Sequence, residues 1–299
     1  MTPPVRVGTA EAPDGAVLSW RADGSGPALL CSNGVAGSTL VWRRLAEHFA
    51  PTHTVVTWDY RGHGRSPVPE HPEGVTVMQC ARDLWTVAEH AGFSEAVLLG
   101  HAIGAQVSFE AYRLRPNGVR ALVSVLGATR GAYALAGGPA LTPVLTLLLE
   151  LGARNAELTQ KALRTLLRVP GARQAIRALG MIHPDLAPRE KFAPFVEHLE
   201  HLDLRASFAL ARDLLSHDAS AVLGEVRVPT LVVAGERDLF TPLSESRALA
   251  SRIPGAELLV VRGGTHAALL EQPELIALAV EKFLRQNGVA SSRTTSGGR

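Results

Sequence analysis

Residues 100–104 place the tightest limit on what this chain can fold into. They read Gly-His-Ala-Ile-Gly, after an apolar run at 96–99 and before a helix-like stretch at 105–114. Glycines at both ends of such a segment let a strand and a helix approach closely, so the central residue is pushed into an exposed, strained conformation. That turn is costly and mainly useful for presenting a reactive side chain. The usual frame, G-x-S-x-G, presents serine, whereas this chain has Ala102, which carries no nucleophilic atom.

Two polar residues follow later apolar runs. The run 231–234 continues into Gly-Glu-Arg-Asp, which ends at Asp238, and the run 258–261 is soon followed by Gly-Gly-Thr-His, which ends at His266. A carboxylate can hold one imidazole nitrogen and leave the other free to accept a proton. The order of turn, acid and histidine along the chain therefore predicts an Asp238–His266 catalytic pair. Glu236 is the alternative acid, because it lies nearer the end of the run.

A loop after the apolar run 28–31 reads Ser-Asn-Gly-Val-Ala-Gly-Ser. The turn after this strand normally supplies one backbone N–H of an oxyanion hole, and the residue after the nucleophile supplies the other. We therefore assign the two donors to Val35 and Ile103. The alternative is that residues 32–38 are only a glycine-rich connection between a strand and a helix.

A further motif, Asp-Tyr-Arg-Gly-His-Gly-Arg-Ser at 59–66, completes a resemblance to the α/β-hydrolase superfamily. The segment Ser32-Asn33-Gly34 is similar to that of enol-lactone hydrolases and related small esterases that carry a cap. The resemblance covers about residues 15–126 and 220–287, and the middle matches only as a variable lid. It implies the α/β-hydrolase fold and a Ser-His-Asp mechanism. Ala102 departs from the family pattern at the nucleophile.

Strand and helix patterns alternate along the chain, which predicts an α/β fold: a mostly parallel sheet flanked by helices on both faces. Between about 128 and 218 the strand signal stops and apolar residues recur at helical spacing. We expect a core at 1–127 and 219–288, a helical cap at 128–218, and a disordered tail at 289–299. Strands are expected near residues 16–21, 27–32, 53–58, 95–99, 119–126, 228–234 and 256–261, and helices near 39–49, 76–91, 103–114, 244–252 and 273–286.

Composition excludes several classes of function. A net charge of +2 gives no reason to expect nucleic acid as a partner. The longest apolar stretch, 132–153, is interrupted by Pro139, Pro143 and Glu150, so we expect no integral membrane span; a lid that touches a membrane surface is the open alternative. Two cysteines and no apolar leader indicate the cytoplasm. The sequence has no nucleotide-binding glycine motif and no convincing zinc spacing, so we expect no cofactor and no metal.

Two hypotheses for function follow. The favoured one is a hydrolase of carboxylic esters or lactones that uses a Ser-His-Asp mechanism, here an inactive or trapped form because of Ala102. The alternative is a natural non-hydrolytic member: a ligand-binding protein, or a lyase or cofactor-free enzyme that uses His266 and Asp238 as a base dyad. The expected partner is a small apolar, ester-like substrate, and a homodimer is left open.

Overall fold

The computed structural model describes residues 3–130, 142–169, 198 and 202–289. Part of the predicted cap, residues 131–141, 170–197 and 199–201, lies outside the described residues. All of the predicted tail beyond Val289 also lies outside them.

The described residues contain one eight-stranded sheet in the order β1-β2-β4-β3-β5-β6-β7-β8. The β1–β2 and β2–β4 pairs are antiparallel, and every other pair is parallel. Strands β3, β4 and β7 are buried along their whole length, as expected for parallel strands that are covered on both faces. The strands are β1 (Val5–Glu11), β2 (Val17–Gly24), β3 (Ala28–Ser32), β4 (Thr54–Trp58), β5 (Ala96–His101), β6 (Val119–Val125), β7 (Thr230–Gly235) and β8 (Glu257–Val261).

Helices cover both faces of this sheet and create two apolar cores. The helices are α1 (Arg43–Phe49), α2 (Val77–His90), α3 (Ile103–Leu114), α4 (Thr142–Arg154), α5 (Ala156–Arg168), α6 (Leu204–Ser216), α7 (Leu243–Arg252), α8 (Ala268–Glu271) and α9 (Pro273–Gln286). One core includes buried residues of α2 and α3, and the other includes buried residues of α1 and α9. The predicted α/β architecture, a mostly parallel sheet flanked by helices, is confirmed.

Helices α4, α5 and α6 lie in the long insert between β6 and β7. The two ends of the insert are joined. Arg130 forms an isolated antiparallel bridge with Asp218, and their side chains pair at 2.9 Å. Beside them, the Ala219 N–H donates to the Thr129 carbonyl oxygen at 2.9 Å. The insert therefore leaves the core and returns to it at one point.

Strand β1 is the one strand of the sheet that the sequence pattern did not predict. Of its seven residues only Ala10 is buried, and Val5 and Val7 are more than half exposed. It lies at the edge of the sheet and pairs only with β2. An exposed edge strand needs no apolar alternation, so periodicity carries little signal there.

Candidate active site

Ala102 lies at the sharp turn between β5 and α3, with φ 53° and ψ −118°. Its N–H donates to the Val125 carbonyl oxygen at 3.1 Å, which fixes the turn against β6. A Cβ on Gly100 would overlap the backbone of Gly104, and a Cβ on Gly104 would overlap the Ser32 carbonyl. The two glycines are therefore needed for the close approach of strand and helix. The turn keeps the strained geometry that presents a side chain, although the side chain here is a methyl group.

Asp238 and His266 come together at the ends of neighbouring strands. The His266 Nδ1 lies 2.8 Å from the Asp238 Oδ2. The Asp238 Oδ1 accepts the backbone N–H groups of Phe240 and Thr241 at 2.8 and 3.0 Å, and the Thr241 hydroxyl donates to Oδ2 at 2.6 Å. Burial works to raise the pKa of Asp238, but these hydrogen bonds, that from His266 first, outweigh burial and hold the pKa below its usual value.

The ionised carboxylate determines which imidazole nitrogen carries the proton. Because a carboxylate only accepts hydrogen bonds, the His266 Nδ1 must donate, and the neutral ring then has a free lone pair on Nε2. Asp238 is 4% exposed, so its orientation is fixed by its partners rather than by water. This arrangement makes His266 a base whose accepting nitrogen faces away from its carboxylate.

Glu236, the alternative acid, is placed elsewhere. Its Oε2 accepts the Gly263 N–H at 2.8 Å, and the residue is exposed. It braces the loop between β8 and His266 from outside. Of the two acidic residues considered from the sequence, only Asp238 lies against the His266 ring.

The loop after β3 lies against the turn at Ala102. A Cβ placed on Gly34 would be 3.4 Å from the Ala102 Cβ, so the backbone beside Val35 approaches the same space. Ala36 in this loop also has a positive φ, 54°. Ile103 is the first residue of α3, where the backbone N–H has no carbonyl partner within the helix. The two predicted oxyanion donors thus belong to segments that meet at Ala102.

Asn33 anchors this loop, a role that sequence reasoning did not identify. Its side-chain amide donates to the Trp58 carbonyl at 3.0 Å and accepts the Trp42 indole N–H at 2.9 Å. The Tyr60 hydroxyl donates to the Asn33 carbonyl at 2.7 Å. Asn33 is 1% exposed, so these bonds form in a dry environment and hold the loop rigidly. A polar residue directly after a buried strand is the signal that points to it.

Two further rings flank the His266 imidazole. Phe240 stacks on it, with ring centroids 4.8 Å apart and an interplanar angle of 24°. His101 lies 5.2 Å away at 41°, and its Nε2 donates to the His266 carbonyl at 3.3 Å. Burial lowers the pKa of His101 to about 4, so this ring is neutral near pH 7. Sequence analysis did not single out Phe240.

The motif at 59–66 has a structural role, because its side chains bond to α2 and α6. Arg61 donates two hydrogen bonds of 2.7 Å to Asp83 in α2. His63 Nδ1 donates to the Arg61 carbonyl at 3.0 Å, and its Nε2 accepts the Ser207 hydroxyl at 3.1 Å, which ties the core to α6. Burial lowers the pKa of His63 to about 4. These residues position α2 and α6 rather than contacting the Asp238–His266 pair.

Among the described residues, no group of three or more histidine, cysteine, aspartate or glutamate side chains is arranged to hold a metal ion. In the same part of the chain, no helix has the length and apolar character needed to cross a membrane.

Comparison with known proteins supports the architecture and points to hydrolases. A sequence model of the α/β hydrolase fold family matches residues 27–273. A protein named as a carbamate hydrolase, RutD, from Azorhizobium caulinodans is 30% identical over 266 residues, 86% of this chain and 91% of that protein. Two solved structures share the fold. A thermophilic esterase from Thermogutta terrifontis has a TM-score of 0.75 and 23% identity, covering 94% of this chain and 98% of that one. The enol-lactonase from Burkholderia xenovorans has a TM-score of 0.74 and 20% identity, covering 93% of this chain and all of that one.

Proposed function

The chain belongs to the α/β hydrolase fold family, and from this membership we propose that it hydrolyses an ester-type carbonyl group with the Asp238–His266 pair and no covalent nucleophile. The observation that carries the proposal is the fully assembled pair, with 2.8 Å between His266 Nδ1 and Asp238 Oδ2, beside a turn whose reactive position is alanine. A protein that only bound a ligand would have no chemical need for a buried carboxylate oriented by four hydrogen bonds.

The form expected from the sequence, a Ser-His-Asp hydrolase that Ala102 leaves inactive or trapped, stays a prediction, and the proposal differs from it in letting the Asp238–His266 pair act without a serine. The covalent route is closed in this chain. Removing the serine of a catalytic triad lowers kcat by about 10⁶-fold, because no acyl-enzyme can form. The rest of such a site keeps part of its catalytic power, since an oxyanion hole and substrate binding alone retain about 10³–10⁴-fold over water. General-base catalysis by a positioned histidine adds about 10²–10⁴-fold. The proposed reaction uses the groups that remain in the site without a serine, namely the His266 base and the two oxyanion donors.

Water is the nucleophile in the proposed reaction. His266 Nε2 takes a proton from the water as its oxygen bonds to the carbonyl carbon, and the carbonyl electron pair moves onto oxygen. The N–H groups of Val35 and Ile103 stabilise that oxyanion. The carbonyl then re-forms, the bond to the leaving oxygen or nitrogen breaks, and the imidazolium returns its proton to the leaving group. Asp238 stabilises the imidazolium throughout and stays ionised.

Substrate choice rests on the insert, which we assign as a cap over residues 128–218. In support, its two ends are joined through Arg130 and Asp218, and α6 packs on the core through Ser207 and His63. Helix α4 of the insert exposes an apolar stripe at helical spacing. The stripe consists of Val144, Leu147, Leu148 and Leu151. The proposed substrates are small apolar esters, lactones or carbamates, carbamates being the class in the name of the 30% identical relative.

The test is hydrolysis of a panel of p-nitrophenyl esters of increasing acyl length, lactones and N-alkyl carbamates by the purified chain. We expect turnover on at least one apolar member, no covalent adduct by intact-protein mass spectrometry, and a loss of about 10²–10⁴-fold in His266→Ala.

His90→Ala is the matched control, because His90 is an exposed helix residue that bonds only to the Thr86 carbonyl among the contacts of the described residues. It should leave the rate unchanged. Turnover that survives in His266→Ala would overturn the assigned base, and a preference for short charged esters would overturn the assigned substrate class.

A further inference from the structure

The stacking of Phe240 on His266 has a consequence for the base itself. An aromatic ring has a negative face, and a cation within about 6 Å of the ring centroid is attracted to it. The Phe240 centroid lies 4.8 Å from the His266 centroid, and the rings are within 24° of parallel. The imidazole gains its positive charge during catalysis, so the contact is stronger after proton uptake than before.

One turn delivers both partners of the imidazole. The Asp238 Oδ1 accepts the N–H groups of Phe240 and Thr241, which closes the chain tightly around the carboxylate. The Asp238 carboxylate then reaches the imidazole edge at Nδ1, while the ring of Phe240 covers its face. Leu239, between them, points outward and is 56% exposed.

We propose that Phe240 is a positioning residue that stabilises the protonated form of His266 through the face of its ring and so strengthens His266 as a base. The role in catalysis rests on the function proposed above, in which His266 takes the proton from water. The electrostatic effect on the imidazole does not depend on any substrate.

Among the described residues, two titratable groups with stated contacts face the His266 ring besides this aromatic face. Asp238 attracts the imidazolium along the ring edge and is ionised. His101, from the end of β5, lies 5.2 Å away and is neutral above about pH 4, since burial lowers its pKa to about 4. Neither group changes charge near neutral pH, so a change at Phe240 acts on His266 alone in that range.

The experiment is an NMR titration of the His266 imidazole in the intact protein, with its signals identified among the eleven histidines by their absence in His266→Ala. Phe240→Leu keeps an apolar side chain but removes the aromatic face. We expect it to move the midpoint of the His266 titration to lower pH by about half a pH unit. Phe240→Trp offers a more negative face and is expected to move the midpoint to higher pH.

Leu239→Ala is the matched control, because it alters the same turn without touching the ring, and its midpoint should equal that of the unchanged protein. An unchanged midpoint in both Phe240 variants overturns the proposal, and so does a shift in Leu239→Ala as large as that in Phe240→Leu. If Phe240→Leu fails to fold, the rise expected in Phe240→Trp decides the matter. If the midpoint moves to lower pH in Phe240→Leu and to higher pH in Phe240→Trp while the unchanged protein hydrolyses no substrate, that result would refute the proposed function and support this inference.

Discussion

Because the backbone at Ala102 is strained, the variant Ala102→Gly should have a higher free energy of unfolding than the unchanged protein. A non-glycine residue in a sparsely populated backbone region costs about 1–3 kcal/mol, and Ala102 has φ 53° and ψ −118°. Glycine removes that cost but loses more conformational entropy on folding, about 0.5–1 kcal/mol relative to alanine. The methyl group is half-buried and contributes little apolar burial. The net expectation is a gain of roughly 1 kcal/mol in the free energy of unfolding.

The assay is thermal or urea unfolding of the two proteins at neutral pH. A gain of this size corresponds to a rise in Tm of about 2–4 °C in domains of 150–250 residues. Ala111→Gly is the control, because Ala111 is buried in the interior of α3, the helix that follows Ala102. Its replacement by glycine should lower the free energy of unfolding by about 1 kcal/mol or more. If Ala102→Gly is destabilised as much as Ala111→Gly, residue 102 is not strained and the reasoning is refuted.

Three further outcomes are expected. Asp238→Asn should lower the base-dependent rate by no more than the loss of about 10²–10⁴-fold expected for His266→Ala, whereas Glu236→Gln should leave it unchanged; kcat measurements that show the reverse would reassign the acid. Gly104→Ala should lower the free energy of unfolding by more than about 2 kcal/mol in urea titrations, because its Cβ would overlap the rigid backbone at the end of β3; a near-neutral result would contradict the close packing. Burial lowers the pKa of His63 from 6.5 to about 4, so between these two pH values the unfolded chain is protonated at His63 while the folded chain is not. The free energy of unfolding therefore falls as pH drops from about 6.5 to 4, by on the order of 3 kcal/mol. His101 acts over the same window, and His63→Gln should therefore flatten the pH dependence of stability without abolishing it.

Much of the fold was predictable because its signals are local. Helices were expected at 103–114 and 273–286, and α3 and α9 have those bounds. Buried parallel strands such as β3 and β7 appear in the sequence as continuous apolar runs, which are hard to miss. The membership in the α/β hydrolase fold family that the motifs indicated is confirmed.

Only those site residues could be predicted whose side-chain type itself indicates a catalytic role. Asp238 and His266 follow strands, and the structure brings them to 2.8 Å. Phe240 and Asn33 act through contacts with segments far away in sequence, and no local pattern reveals those contacts, although the place of Asn33 directly after a buried strand points to the residue. An apolar residue two positions after an acid gives no sign in the sequence of what its side chain contacts. Only the structure shows that the Phe240 ring covers the face of the His266 imidazole.

The most direct test of the central claim, that the base pair and the oxyanion loop are assembled around residue 102 to act on a carbonyl group, is covalent labelling of Ala102→Ser by a fluorophosphonate. This reagent reacts with a serine activated by a neighbouring base. The account predicts a single adduct, mapped to position 102 by peptide mass spectrometry, and its loss in the double variant that also carries His266→Ala. An Ala102→Ser protein that folds like the unchanged chain and remains unlabelled would contradict it.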